Sequence, residues 1–70
     1  MDVKELRYQI ARSGLTREKL GKLLGVTKTT IHRRLTGKTE WTLTELQKLK
    51  EILELSDEML RQIFFSEKVS

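Results

Sequence analysis

The chain of 70 residues has no cysteine, no proline and only four glycines. Without cysteine there are no disulfides and no thiolate metal sites, which removes the usual staples of very small secreted domains. Without proline, and with so little glycine, helices are favoured over the turn-rich strands of a small barrel. His32 is the single histidine, so a histidine/cysteine zinc site has no ligand set. No apolar run approaches the roughly 20 residues that span a bilayer. The start, Met1-Asp2-Val3-Lys4-Glu5, is charged from its second residue and lacks the apolar core of a secretion signal. The four serines have no convincing base partner, and no pair of carboxylates shares a pocket suited to acid–base work. The expectation is a cytoplasmic chain that is not an enzyme and takes no metal, no cofactor and no membrane.

Seventy residues suffice for one domain, here residues 1–70, because a single core at this size is already marginal. Hydrophobic residues make up 37% and charged residues 34% of the chain, enough for one modest core under a charged surface. The net charge of +4 is unevenly placed. Residues 1–36 carry nine Lys/Arg against three Asp/Glu, whereas residues 37–70 carry five against seven. Within 16–38, Arg17, Lys19, Lys22, Lys28, Arg33, Arg34 and Lys38 are opposed only by Glu18. Such a basic stretch is the footprint of a polyanion binder, although solvated lysines and arginines are common on any exposed helix.

Hydrophobic spacing divides the chain into five short helices. Val3, Leu6 and Ile10, with Ala11 beside them, place the first over 2–12, and Ser13-Gly14 ends it. Thr16 caps a second helix whose apolar face is Leu20, Leu23 and Leu24, and Gly25 stops it. Thr27 caps a third over 27–36, with Ile31 and Leu35 one turn apart and Gly37 at its end. Thr42-Leu43-Thr44-Glu45 has the capping-box spacing, and Leu43, Leu46, Leu49, Ile52 and Leu53 form the stripe of a fourth helix. Ser56 caps a fifth, whose inward residues are Met59, Leu60, Ile63 and Phe64, and whose Asp57-Glu58 suits the positive end of the helix dipole. The polar tail 66–70 reads as frayed. Trp41 is expected in the core, and only one of the adjacent Phe64 and Phe65 can face it.

Two short helices over 16–24 and 27–36, joined at Gly25-Val26-Thr27, have the layout of a helix-turn-helix spanning about 16–37. Gly25 supplies the positive φ of the sharp turn, Gly21 lets the following helix approach closely, and Val26 plugs the gap between the two. Gly14-Leu15-Thr16-Arg17-Glu18-Lys19-Leu20, Leu24-Gly25-Val26-Thr27-Lys28-Thr29-Thr30-Ile31 and Leu35-Thr36-Gly37-Lys38 resemble the Cro and lambda-repressor-like helix-turn-helix family. The resemblance covers nearly the whole chain, and the ending from Ser56 to Phe65 looks most like small phage-encoded regulators. It implies a compact all-α, five-helix, lambda-repressor-like DNA-binding domain. Two positions depart from the pattern. Gly21 stands where the family usually has Ala, which is sterically harmless. Arg34 stands where an apolar or aromatic residue is frequent, leaving Leu35 more of the anchoring.

With Ile31 and Leu35 inward, 100° per residue turns Thr29, Arg33 and Thr36 outward, with His32 and Thr30 on the flanks. Lys28 projects from the exposed first turn, and the N-terminal half of such a helix enters the groove, so the base-reading set is Lys28, Thr29, His32 and Arg33. Arg33 can fork onto guanine O6 and N7, Lys28 can donate to the same acceptors, and Thr29 can meet a thymine methyl. The family resemblance also implies base contacts at Lys28, Thr29 and Arg33. Thr16, Arg17, Thr27, Thr36 and Lys38 are expected on phosphates, while Arg34 is expected to pack its stem on Trp41 or Leu35. The expected partner is double-stranded DNA, as a near-palindromic operator bound by a homodimer in the bacterial cytoplasm or nucleoid. The expected role is that of a phage or mobile-element repressor acting by occupancy, with no small-molecule ligand. The rival is a protein-interaction module on the same scaffold, an antitoxin-like or anti-repressor partner. Gly37-Lys38-Thr39 imitates a phosphate-binding loop, but His32 stands where its leading glycine would be, and a helix rather than a strand precedes it.

Overall fold

A computed structural model describes residues 1–65, and the expected frayed tail 66–70 lies outside them. Five helices follow one another: α1 (Val3–Ser13), α2 (Arg17–Leu24), α3 (Lys28–Leu35), α4 (Leu43–Ile52) and α5 (Asp57–Phe64). There is no strand among the described residues. A side chain caps the N-terminus of each helix by accepting a backbone N–H three residues on: Asp2, Thr16, Thr27, Thr42 and Ser56. These caps satisfy donors that no helical carbonyl can reach. The expected capping box is present, Thr42 accepting from the Glu45 N–H and Glu45 from the Thr42 N–H. Gly14 and Gly25 take the left-handed conformation after α1 and α2.

The core draws on every helix. Leu6, Ile10, Leu20, Leu24, Ile31, Leu35, Leu49, Leu53, Leu55 and Ile63 form one buried cluster. Trp41 and Phe64 pack against it edge to face, their ring centroids 6.1 Å apart at 77°. Phe64 is thus the inward member of its pair, and Phe65 is 60% exposed. The Asp2 N–H donates to the Ile63 carbonyl at 2.7 Å, tying the start of α1 to α5. Lys50 pairs with Asp57 across the link from α4 to α5, and this hydrogen bond and charge lower the exposed Asp57 carboxyl.

Three expected core residues face water instead. Leu43 is 70% exposed and Leu23 52%, and Ala11 is exposed too. At 100° per residue, Leu43 stands about 90° from the centre of the face made by Leu46, Leu49 and Leu53. Leu23 lies about as far from the direction of Leu20 and Leu24, and Ala11 further still from that of Leu6 and Ile10. The inward place at the start of α4 belongs to Glu45, which is only 7% exposed.

Two contacts set α3 in place. A Cβ on Gly21 would lie 2.7 Å from the Val26 carbonyl oxygen, so the turn is seated against α2 more closely than a methyl group permits. The Val26 N–H donates to the Gly21 carbonyl at 2.8 Å across the same contact. The second contact is Arg34, whose Nε and Nη2 donate to the two oxygens of Glu45 at 2.9 and 3.1 Å, while Nη1 donates to Thr39 at 2.7 Å. Arg34 is structural, as expected, but its head is held by Glu45 and Thr39, and not merely by stem packing on Trp41 or Leu35. Burial by itself would raise the Glu45 carboxyl. Hydrogen bonds from Arg34 and Thr42, with the Arg34 charge, outweigh it and hold the group below the ordinary glutamate value of 4.5.

Two stability outcomes follow from these contacts. Gly21→Val is expected to lose about 2 kcal/mol or more, because overpacking against a backbone carbonyl exceeds the small gain in helix propensity; thermal melts by circular dichroism measure it. Arg34→Ala leaves a buried carboxylate unpaired and is expected to lose about 3 kcal/mol in urea denaturation. Because the Glu45 carboxyl is depressed in the folded chain, its contribution is complete above about pH 4.5 and is lost as pH falls below that value. Arg34→Met should flatten this acid-side loss.

Candidate nucleic-acid interface

Thr29 and Arg33 lie opposite the α3 anchors Ile31 and Leu35, with His32 on the flank and Lys28 in the first turn. Lys28, Thr29, His32 and Arg33 are all exposed, and both anchors are buried. Thr30 is half-buried, and its hydroxyl lies 3.0 Å from that of Thr27. Arg34 is the only basic residue of 16–38 in an ion pair among the described residues. Arg17, Lys19, Lys22, Lys28, Arg33 and Lys38 thus carry charges that no carboxylate in the described chain neutralises.

Helix dipoles add to this asymmetry. The first turns of α1, α2, α4 and α5 each hold an acidic residue, which complements the positive helix end. The first turn of α3 holds none, and Lys28 stands there instead. The same helix concentrates His32, Arg33 and Arg34 in its last turn.

The expected phosphate contacts are distributed around α3. Thr16 and Thr27 cap α2 and α3 with their hydroxyl oxygens, accepting from Lys19 and Thr30 at 3.1 Å. Capping uses the oxygen as acceptor, which keeps the Thr16 hydroxyl proton for another partner, while the Thr27 hydroxyl also shares a hydrogen bond with that of Thr30. Thr36 is exposed, but its hydroxyl donates to the Arg33 carbonyl at 3.2 Å, so its proton is already engaged. Gly37, with φ of 80°, turns the chain out of α3, and the Lys38 N–H donates to the Arg33 carbonyl at 3.0 Å. Lys38 is exposed beside this turn. Arg17, half-buried at the first turn of α2, brings Nη1 to 3.5 Å from His32 Nδ1. The turn at Gly25 therefore brings one expected phosphate contact against one expected base reader.

Sequence reasoning missed the second role of Glu45. Its capping-box spacing was visible, but its partner Arg34 lies eleven residues earlier, beyond the reach of any helical period. The Arg17–His32 contact was likewise not anticipated, since only the folded turn brings the two together. No helix among the described residues is long and apolar enough to cross a membrane. No group of His, Asp or Glu among them could hold a metal ion.

Neither the characterised proteins nor the solved structures compared with the chain give a match. The profile of the helix-turn-helix domain, however, matches residues 3–63, which takes in all but the last residue of α5 and every side chain of the basic face described above. The chain belongs to the helix-turn-helix domain family.

Proposed function

We propose that the chain binds double-stranded DNA in a sequence-specific manner, with α3 in the major groove and the start of α2 on the flanking phosphates. The observation that carries this reading is the set of basic side chains without an ion-pair partner gathered on α2, α3 and their turns, among which Glu18 is the one acidic residue. Lys28, Thr29, His32 and Arg33 read bases in this arrangement. Thr16, Arg17, Thr27 and Lys38 hold the backbone, and Thr36 joins them if its hydroxyl exchanges the Arg33 carbonyl for a phosphate. The similarity to Cro and lambda-repressor-like regulators supports a repressor of phage or mobile-element type that acts by occupying its operator.

One module this short reads few base pairs, so we infer a two-fold dimer on a near-palindrome, with half-sites about 34 Å apart. The contacts are assigned to α4, α5 and the Phe64-Phe65 end. Exposed Phe65 and Met1 border a shallow cavity of about 300 Å³ there, lined also by Trp41, Leu46 and Phe64, which supports this choice.

The decisive experiment selects a preferred duplex from a random pool and follows its binding by fluorescence anisotropy. Affinity should fall steeply with salt, by about 0.9 log units per neutralised phosphate for each tenfold rise. Arg33→Ala should cost about 1–3 kcal/mol on the preferred duplex and little on random duplex, relaxing specificity at one base position per half-site. A salt-independent interaction, or none, would leave the protein-interaction reading in its place. Sedimentation on a full palindrome should give two chains per duplex; a strict 1:1 complex would remove the dimer.

A further inference from the structure

The contact between Arg17 Nη1 and His32 Nδ1, 3.5 Å apart, has a consequence for the chemistry that His32 presents. A guanidinium has only N–H donors and no acceptor. At 3.5 Å, the outer limit of a hydrogen bond, the guanidinium favours a ring that offers a lone pair at Nδ1. A neutral imidazole with its lone pair at Nδ1 carries its proton at Nε2. With the proton at Nδ1, or with both nitrogens protonated, two N–H groups would oppose each other. We propose that Arg17 is a positioning residue that fixes His32 with Nε2–H outward, so that His32 reads a purine N7 as a specificity-determining donor.

This inference rests on the DNA-binding reading and refines it at one base. Purine N7 accepts a hydrogen bond at the major-groove edge of both adenine and guanine, whereas cytosine presents its N4 amino donor there. A ring that donates is thus suited to purine N7, is also compatible with thymine O4, and is opposed by cytosine. A single N–H cannot span the O6/N7 pair as the fork of Arg33 can, so His32 disfavours cytosine while Arg33 singles out guanine. Arg17 still has Nε and Nη2 for a phosphate, since Nη1 alone is engaged by His32 among the described residues. One guanidinium then joins the backbone contact to the reading ring.

His32 is the only histidine, so long-range proton–nitrogen spectra of histidine-labelled protein report on this ring alone. In the free protein with the ring neutral, Nε2 should carry the proton and Nδ1 should resonate as an acceptor. Arg17→Ala should move the Nδ1 resonance, and Arg17→Lys, which keeps a donor, should restore it. A proton on Nδ1, or ring resonances indifferent to Arg17→Ala, overturns the proposal. On the preferred duplex, 7-deazapurine at one position of a single half-site should weaken wild-type binding about five-fold, the effect of one hydrogen bond. His32→Ala should be insensitive to that replacement, Arg17→Ala less sensitive than wild type, and Arg17→Lys sensitive again. If the wild type binds duplex but no 7-deaza position behaves this way, the inference fails while the DNA-binding reading stands. If the wild type binds no duplex, both fail.

Discussion

The carbonyl oxygen of Val26 occupies the space that a methyl group on Gly21 would need, and the direction of α3 depends on that approach. A turn seated further out would lift Ile31 and Leu35 from the core, where both are now almost fully buried. The outward face of a helix follows from its inward one, so the exposure of Thr29 and Arg33 comes from packing on the other side. The meeting of Arg17 with His32 has the same origin, because it needs the first turn of α2 close beside the last turn of α3.

The far end of α3 is held by a different kind of force. Glu45 accepts from the Thr42 N–H and twice from Arg34, so one carboxylate both starts α4 and ties it to α3. Little of this pair reaches solvent, and such a pair contributes more to fixing geometry than to net stability, since desolvation opposes its attraction. An apolar residue at position 34 could fill the same space, but it would not fix rotation about the helix axis as a two-pronged bond does. Together Gly21 and Glu45 hold α3 at its two ends, by close approach and by charge.

Much of this was legible in the amino-acid sequence, because caps and breakers act locally. Thr16, Thr27, Thr42 and Ser56, with Gly14, Gly25 and Gly37, mark helix ends through interactions within three or four residues. The buried leucines at helical spacing were legible for the same reason. What escaped depends on neighbours distant in the chain. Leu23 and Leu43 satisfy a helical period loosely, and only the position of the adjacent helix decides that they face water. Arg34 reads as a departure until its partner on α4 is known. Glu54, with φ of 53°, turns the chain out of α4 without the glycine that marks the ends of α1 and α2. The basic face was visible as a charge pattern; the approach of Arg17 to His32 was not, because it depends on one interatomic contact.

The five helices contain only eight to eleven residues each. Isolated helices shorter than about 12–15 residues are marginal in water, so none of these has a reason to persist apart from the others. The surface that faces a partner is then a property of the whole folded population rather than of α3 itself. Any loss of global stability reduces the competent fraction, and apparent affinity falls in proportion even where no contacting residue has changed. Unfolding also releases the segment 16–38 as an extended cationic strand, with its lysyl and arginyl bonds open to proteases. Occupancy of a partner and lifetime of the chain are thereby governed by one equilibrium, and whatever binds the folded form also protects it from turnover.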